Sequence, residues 1–254
     1  MRIIQTGTAF WGAKALNTAT ELKLFTALAG REMSGTEIQA ATGIHERGLY
    51  DFLDALVAMG FLERTGQKET AQYKNAQESE IFLDMKKPSY VGGMLEFADK
   101  FLYGSWAHLK EALQTGQSVQ ELKHGGRSMF EVMLATEEDR QLLMRSMGGI
   151  QMENFRSFAQ GFDFSPFKIL CDLGGGGGHL SVAVAEQHAH VQCITFDLPP
   201  LQLLVTQFVE RMGMSGRITP VSGNFFEDDF PAADLYTFGN ILHSWSLEQR
   251  KCLM

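Results

Sequence analysis

Residues 171–180 read CDLGGGGGHL, an acid and then a run of glycines. An apolar run of strand length precedes the glycines (KILCDL), and a helix-like run follows them (LSVAVAEQH). A glycine turn between a buried strand and a helix strips β-carbons from the place where backbone amides and the positive end of a helix face outward. A polar ligand can then approach the backbone closely. The dinucleotide fingerprint needs glycine at n, n+2 and n+5. From Gly174 the last position falls on His179, and from Gly175 on Leu180, so no register satisfies it. The pattern acid-x-Gly-x-Gly-x-Gly fits once, on Asp172, Gly174, Gly176 and Gly178.

That pattern suits a ligand with no pyrophosphate to seat, such as S-adenosylmethionine. A second acid, Asp197 in TFDLPP, closes the next apolar run, with Leu198 beside it. It lies about 20 residues beyond the glycines, where such folds place a carboxylate on ribose hydroxyls. The histidine with a chemical reading is His243, which follows the last apolar run. An imidazole, with an ordinary pKa of about 6.5, can take a proton near neutral pH. His188 and His190 flank one alanine with no third ligand in view, so no metal site is expected there. His45, His108 and His124 read as exposed or structural.

The elements that must position these residues are legible from periodicity. Residues 2–29 are apolar on more than one side (Ile4, Phe10, Ala13, Leu16, Leu22, Leu24, Phe25, Leu28), which predicts helices that bury much of their surface, in part against a second chain. Gly30 stops them. Ser34 with Glu37 forms a capping box for a short helix to Thr42, and Gly43 makes a turn. A second helix carries Leu49, Phe52, Leu53, Leu56 and Val57 to Gly60, and FLERTGQKETAQYKN reads as two short strands around a polar turn. Helix, turn, helix, hairpin is a winged-helix arrangement. Residues 90–135 read as further helix, with turns at Gly104, Gly116 and Gly125–Gly126. Thr136 followed by three acids opens a long helix that ends near Gly161, and Pro166 blocks its continuation. From Lys168 continuous apolar strands alternate with helices, at 168–173, 191–196, about 217–221 and 234–241. That pattern is a buried parallel sheet.

Composition bounds the function classes. The 254 residues are 44% apolar and 20% charged, ordinary for a globular protein with a core. A net charge of −8 argues against nucleic acid or an anionic membrane as a partner. Cys171, Cys193 and Cys252 are an odd number without paired spacing, which fits free thiols in a reducing, cytoplasmic setting. No signal-peptide pattern and no membrane-spanning apolar run is present.

FDFSPFKILCDLGGGGGHL, then TFDLPP, then GNFFEDDFPAADLYTFGNILHSW resemble the successive motifs of S-adenosylmethionine-dependent O-methyltransferases of the acetylserotonin, hydroxyneurosporene and plant caffeate type. The resemblance covers nearly the whole chain and implies an α/β fold. An N-terminal winged-helix dimerisation domain, all-helical but for its wing (1–95), would precede linker and substrate-pocket helices (96–165). An incomplete Rossmann-like sheet that binds S-adenosylmethionine (166–254) would follow. It implies a homodimer through the N-terminal domain and a small hydroxylated acceptor, aromatic or polyene. It also puts Gly174, Gly176 and Gly178 under the amino-acid end of the cofactor, Asp197 on its ribose, and Phe225 on its adenine face. Where the family reads Gly-Asp-Phe-Phe, this chain has Gly223-Asn224-Phe225-Phe226, and Asn224 could accept a hydrogen bond from the adenine amino group through its amide oxygen. His243 occupies the family's His-Asp-Trp site, here His243-Ser244-Trp245, as general base. Met147, Met152, Phe155 and Trp245 are the candidates for acceptor contacts. The magnesium-binding acids of the smaller catechol-type enzymes have no counterpart.

The family's sheet has seven strands, whereas the sequence shows four and lacks the downstream acid that orients the histidine. The expectation is therefore a truncated catalytic domain with little turnover of its own. Two rivals follow. One is an inactive cofactor-binding or dimerisation protein. The other, a winged-helix regulator on DNA, is opposed by the acids in HERGLYDFLDALVAMG, which have the wrong sign for phosphate.

Overall fold

The computed structural model describes residues 1–119 and 128–254, so His124 and the Gly125–Gly126 turn lie outside the described residues. The chain forms two compact units, Met1–Met129 and Phe130–Met254.

In the first unit the N-terminal apolar stretch becomes three helices, α1 (Arg2–Thr8), α2 (Phe10–Glu21) and α3 (Leu24–Leu28). The break before α3 is made by Lys23, held left-handed at φ 58°. A short strand β1 (Met33–Ser34) leads into α4 (Gly35–Thr42) and α5 (Glu46–Ala58), and then β2 (Leu62–Thr65) and β3 (Gln72–Asn75). Ser34 Oγ accepts the Glu37 N–H at 3.3 Å, and the Glu37 carboxylate accepts the Ser34 N–H at 2.7 Å, which completes the capping box. His45 caps α5, its ring nitrogen accepting the Arg47 N–H at 3.2 Å. The wing is a three-stranded antiparallel sheet in the order β1-β3-β2, with Met33 opposite Tyr73 and Leu62 opposite Asn75. β1 is an addition to the two strands expected from sequence; a pair of residues carries no period to read. Leu24, Phe25, Leu28, Ile38, Leu49, Leu53, Leu56, Leu62 and Tyr73 form the core. Helix α1 buries none of its residues, and Phe10 and Trp11 on α2 are 51% and 67% exposed in the single chain. Further helices follow, α6 (Gln77–Phe82), α7 (Gly92–Phe97) and α8 (Leu109–Thr115).

In the second unit α9 (Met129–Met133) and the long α10 (Glu137–Gly161) precede a sheet of β4 (Ile169–Leu173), β5 (Gln192–Asp197), β6 (Ile218–Ser222) and β7 (Leu235–Thr237). Thr136 Oγ1 caps α10 by accepting the Asp139 N–H at 3.1 Å. Helices α11 (His179–Gln187) and α12 (Gln202–Arg211) connect the parallel strands, and α13 (Leu247–Leu253) follows β7. The order is β6-β5-β4-β7, all parallel. Residues of β4 alternate between two cores. Leu170 packs with Leu180, Val184, Val205 and Val209, while Cys171 and Leu173 pack with Phe196 on the other face. Both faces are covered, which is why the strand reads as an unbroken apolar run. Burial pushes the Cys171 and Cys193 thiols up to about 12, so both are inert core residues.

β7 is shorter than the 234–241 expected from its apolar run. Pairing stops at Thr237. Gly239 and a left-handed Asn240 (φ 57°) then turn the chain away from the sheet. No helix among the described residues is long and apolar enough to cross a membrane.

Candidate active site

The strand order reverses beside β4: the chain moves to β5 on one side, and β7 returns on the other. In open α/β sheets ligands bind at such a switch point, beyond the carboxyl ends of the strands. The glycine run lies at the end of β4 and the segment carrying His243 lies after β7, so both candidate motifs belong to this crevice.

Gly174, Gly176 and Gly178 have φ of 70°, 52° and 76°, whereas Gly175 and Gly177 do not enter the left-handed region. The alternation matches the register read from sequence and is the reason that side chains are excluded at those three positions. The turn is held at both ends. Gly174 N–H donates to the Phe196 carbonyl at 2.8 Å, and Gly178 N–H to the Gly175 carbonyl at 2.9 Å. Above Gly174 there is no room, because a β-carbon there would fall 2.3 Å from Ile241 Cδ1. Above Gly176 there is open space, with no heavy atom within 4 Å of that position. A ligand therefore has access to the turn at Gly176.

Asp197 stands against that opening. Its carboxylate accepts the Gly176 N–H at 2.7 Å and, through the other oxygen, the Leu198 N–H at 2.7 Å. Burial raises its proton affinity, and these two amide bonds act in the opposite sense. Asp172 is 2% exposed and accepts the Thr237 hydroxyl at 2.9 Å. Burial, together with the negative charge of Asp197, pushes it up to about 7. The hydrogen-bond partners of both acids are amides and a hydroxyl. A buried carboxylate and a half-buried one, with no cationic side chain among the hydrogen-bond partners described for them, suit a ligand that brings positive charge.

Beyond β6, Asn224 Oδ1 accepts the Phe226 N–H at 3.0 Å, and Asn224 N–H donates to Asp228 at 2.8 Å. The amide oxygen expected to face a ligand amine thus accepts a bond within a local turn. Phe225 reaches the glycine turn, with a ring carbon 3.5 Å from the β-carbon position of Gly174. Phe225, Phe226 and Trp245 meet edge to face, and Phe130 stacks on Trp245 at 5.5 Å and 17°. β7 is tied to β4 through its last residue, Thr237, the loop after it meets the turn through Ile241, and His243 is exposed on that loop within the helical turn Leu242–Ser244.

On α10, Met147 and Met152 are half-buried, and Phe155 lies 3.7 Å from the β-carbon position of Gly239. The methionine whose methyl reaches the glycine turn is Met144, 3.1 Å from the β-carbon position of Gly177. Met144, Thr237 and Ile241 were not singled out by sequence, where each reads as ordinary core. His188 and His190 hydrogen-bond the carbonyls of Ala159 and Phe164.

The O-methyltransferase domain family matches residues 106–254, and the O-methyltransferase dimerisation domain matches residues 4–85. The chain belongs to the O-methyltransferase family. The 8-O-methyl transferase TcmO of tetracenomycin polyketide synthesis from Streptomyces glaucescens is 37% identical over 252 residues, covering 99% of this chain and 72% of that protein. Acetylserotonin O-methyltransferase of Gallus gallus is 30% identical, over 98% of this chain and 72% of that protein. Among solved structures, human N-acetylserotonin methyltransferase in complex with SAM superposes with a TM-score of 0.89 at 26% identity, over 99% of this chain and 73% of that one. PigF with SAH gives 0.91 at 26% identity, over 99% and 75%. This member of the O-methyltransferase family is an S-adenosylmethionine-dependent enzyme, and its fold is the dimerisation domain followed by the Rossmann-like sheet described above. The open face of Gly176 and the uncompensated acids fit that cofactor.

Proposed function

We propose that the protein transfers the methyl group of S-adenosylmethionine to a hydroxyl of a small aromatic or polyene molecule, with His243 as general base. The observation that carries this reading is the left-handed alternation of Gly174, Gly176 and Gly178, open only at Gly176 and flanked by Asp197. In this reading the glycines and Asp172 hold the amino-acid end of the cofactor. Asp197 and Leu198 hold its ribose, and Asn224 and Phe225 its adenine. When bound, the cofactor supplies an electrophilic methyl on a cationic sulfur. His243 would take the proton of the acceptor hydroxyl as the oxygen–methyl bond forms and the sulfur–methyl bond breaks, with S-adenosylhomocysteine as the leaving group. Phe155, Met147, Met152 and Trp245 pack the acceptor so that oxygen and methyl are in line, which is where most of the remaining rate arises.

Assembly belongs to the same reading. Exposed Ile3, Ile4, Phe10 and Trp11 support a homodimer through the N-terminal dimerisation domain, in a cytoplasmic setting. Calorimetry with S-adenosylhomocysteine and with NAD tests the cofactor assignment, and light scattering on the same sample reads the mass. The expected result is saturable binding of the homocysteine product, no binding of NAD, and a dimer at micromolar concentration. Binding of NAD alone would overturn the cofactor assignment, and a monomer would overturn the assembly.

A further inference from the structure

Glycines at Gly174, Gly176 and Gly178 are explained by backbone conformation, but others near the site, Gly148 and Gly177 among them, are not. Gly177 does not enter the left-handed region, and Gly148 lies in the middle of α10, where glycine costs helix stability. One side chain accounts for both. A β-carbon on Gly148 would fall 2.4 Å from His179 Nε2, and one on Gly177 would fall 2.4 Å from His179 Cε1. The imidazole thus fills the space of two missing side chains, one on the long helix and one on the turn. Its ring also contacts Phe208 of α12, with centroids 4.6 Å apart. Burial, with the Arg211 guanidinium nearby, pushes the imidazole down to about 4, so it is neutral at physiological pH and able to lie among Met144 and Phe208.

The helix face that meets this ring is the one that continues toward the acceptor. Met144, Gly148, Gln151 and Phe155 recur at helical spacing, so they share one face of α10. That face touches the turn at Met144 and the loop after β7 at Gly239 through Phe155. We propose that His179 is a positioning residue whose imidazole, seated between Gly148 and Gly177, fixes how the long helix lies against the cofactor turn. The proposal rests on the glycine turn being the cofactor's seat. It acts through Gly177: when the ring is lost or displaced, the turn and the open face at Gly176 shift relative to α10.

The test is a double-mutant cycle of Gly148→Ala and His179→Ala, with His179→Gln as a conservative variant. S-adenosylhomocysteine affinity is read by calorimetry and the thermal midpoint by melting. Each single alanine is expected to weaken binding by about tenfold, within the coupling range of residues in contact. The double variant should recover to within about threefold of wild type, because the new methyl occupies part of the space that the ring vacates. His179→Gln, still planar and neutral, should bind like wild type. Additive losses in the double variant, or single variants that bind as wild type does, would overturn the proposal. Coupling in the melting midpoint without coupling in binding would also overturn it, since the ring would then only pack. If the wild type does not bind S-adenosylhomocysteine, the cofactor assignment itself falls and the positioning role falls with it. The melting cycle would then still report whether the two glycines and the ring are coupled.

Discussion

In the turn after β4 almost every group has a partner: Gly174, Gly175 and Gly178 donate to backbone carbonyls, Gly176 donates to Asp197, and a neutral imidazole fills the gap beside Gly177. At the end of β7 and in the loop after it the ties are fewer. Thr237 bonds Asp172, Ile241 covers Gly174, and His243 stands exposed beyond them. In the proposed reading the turn contributes glycine backbone, which cannot be altered without changing glycines, and the loop contributes a single side chain, which can. The proposal therefore predicts that binding and chemistry are separable.

The largest effect expected is at the loop. His243→Ala should lower the turnover number about 10²–10⁴-fold, the usual contribution of a positioned base, and leave S-adenosylhomocysteine affinity near wild type. Asp197→Ala should do the reverse and weaken that affinity about 10–100-fold through the loss of charge-assisted hydrogen bonds. Single-turnover methyl transfer with an accepted hydroxyl compound, alongside calorimetry, separates the two. A His243→Ala variant with normal turnover would leave catalysis to proximity and remove the contrast.

A smaller effect sharpens the description of the turn. The proton affinity of Asp172 is raised in the fold to about 7, above its unfolded value. Between about pH 4 and that value the native state holds a proton that the unfolded chain has released, so this group makes stability fall as pH rises through the window. Asp172→Asn keeps an acceptor for Thr237 and removes the ionisation. Its melting temperature should equal that of wild type near pH 4 and exceed it above pH 7, by about 2–4 °C for every kcal/mol relieved in a chain of this size. Cofactor affinity should fall in the same variant. Parallel melting curves at all pH values would show that Asp172 is not the buried acid described.

The turn was also the more legible region. An acid, alternating glycines and a flanking strand and helix have few other uses, and the left-handed conformations fell on the residues picked by register. The two-residue strand Met33–Ser34 was not legible, because it is defined only by its pairing with Tyr73 and Gln72. The end of β7 misled, since Phe238, Ile241 and Leu242 continue an apolar run after the sheet has ended; they pack inward from a loop instead. Asn224 was read for its amide oxygen; that oxygen also accepts the Phe226 N–H in a local turn, which the sequence reading did not include. His179 was hidden in plain sight beside the glycines. The clue lay in Gly148 and Gly177, whose absence of side chains neither the helix nor the turn requires.

The hydrogen bond between Thr237 and Asp172 spans 65 residues of sequence, while that between Gly176 and Asp197 spans 21. Closing the longer loop costs about 1 kcal/mol more chain entropy than closing the shorter one. The strand–turn–helix–strand unit proposed to seat the cofactor is therefore closed by the more local contact. The segment bearing His243 follows β7, which pairs with β4 alone and lies across it from β5 and β6. The segment proposed to react is thus joined to the turn by the contact that is costlier to close.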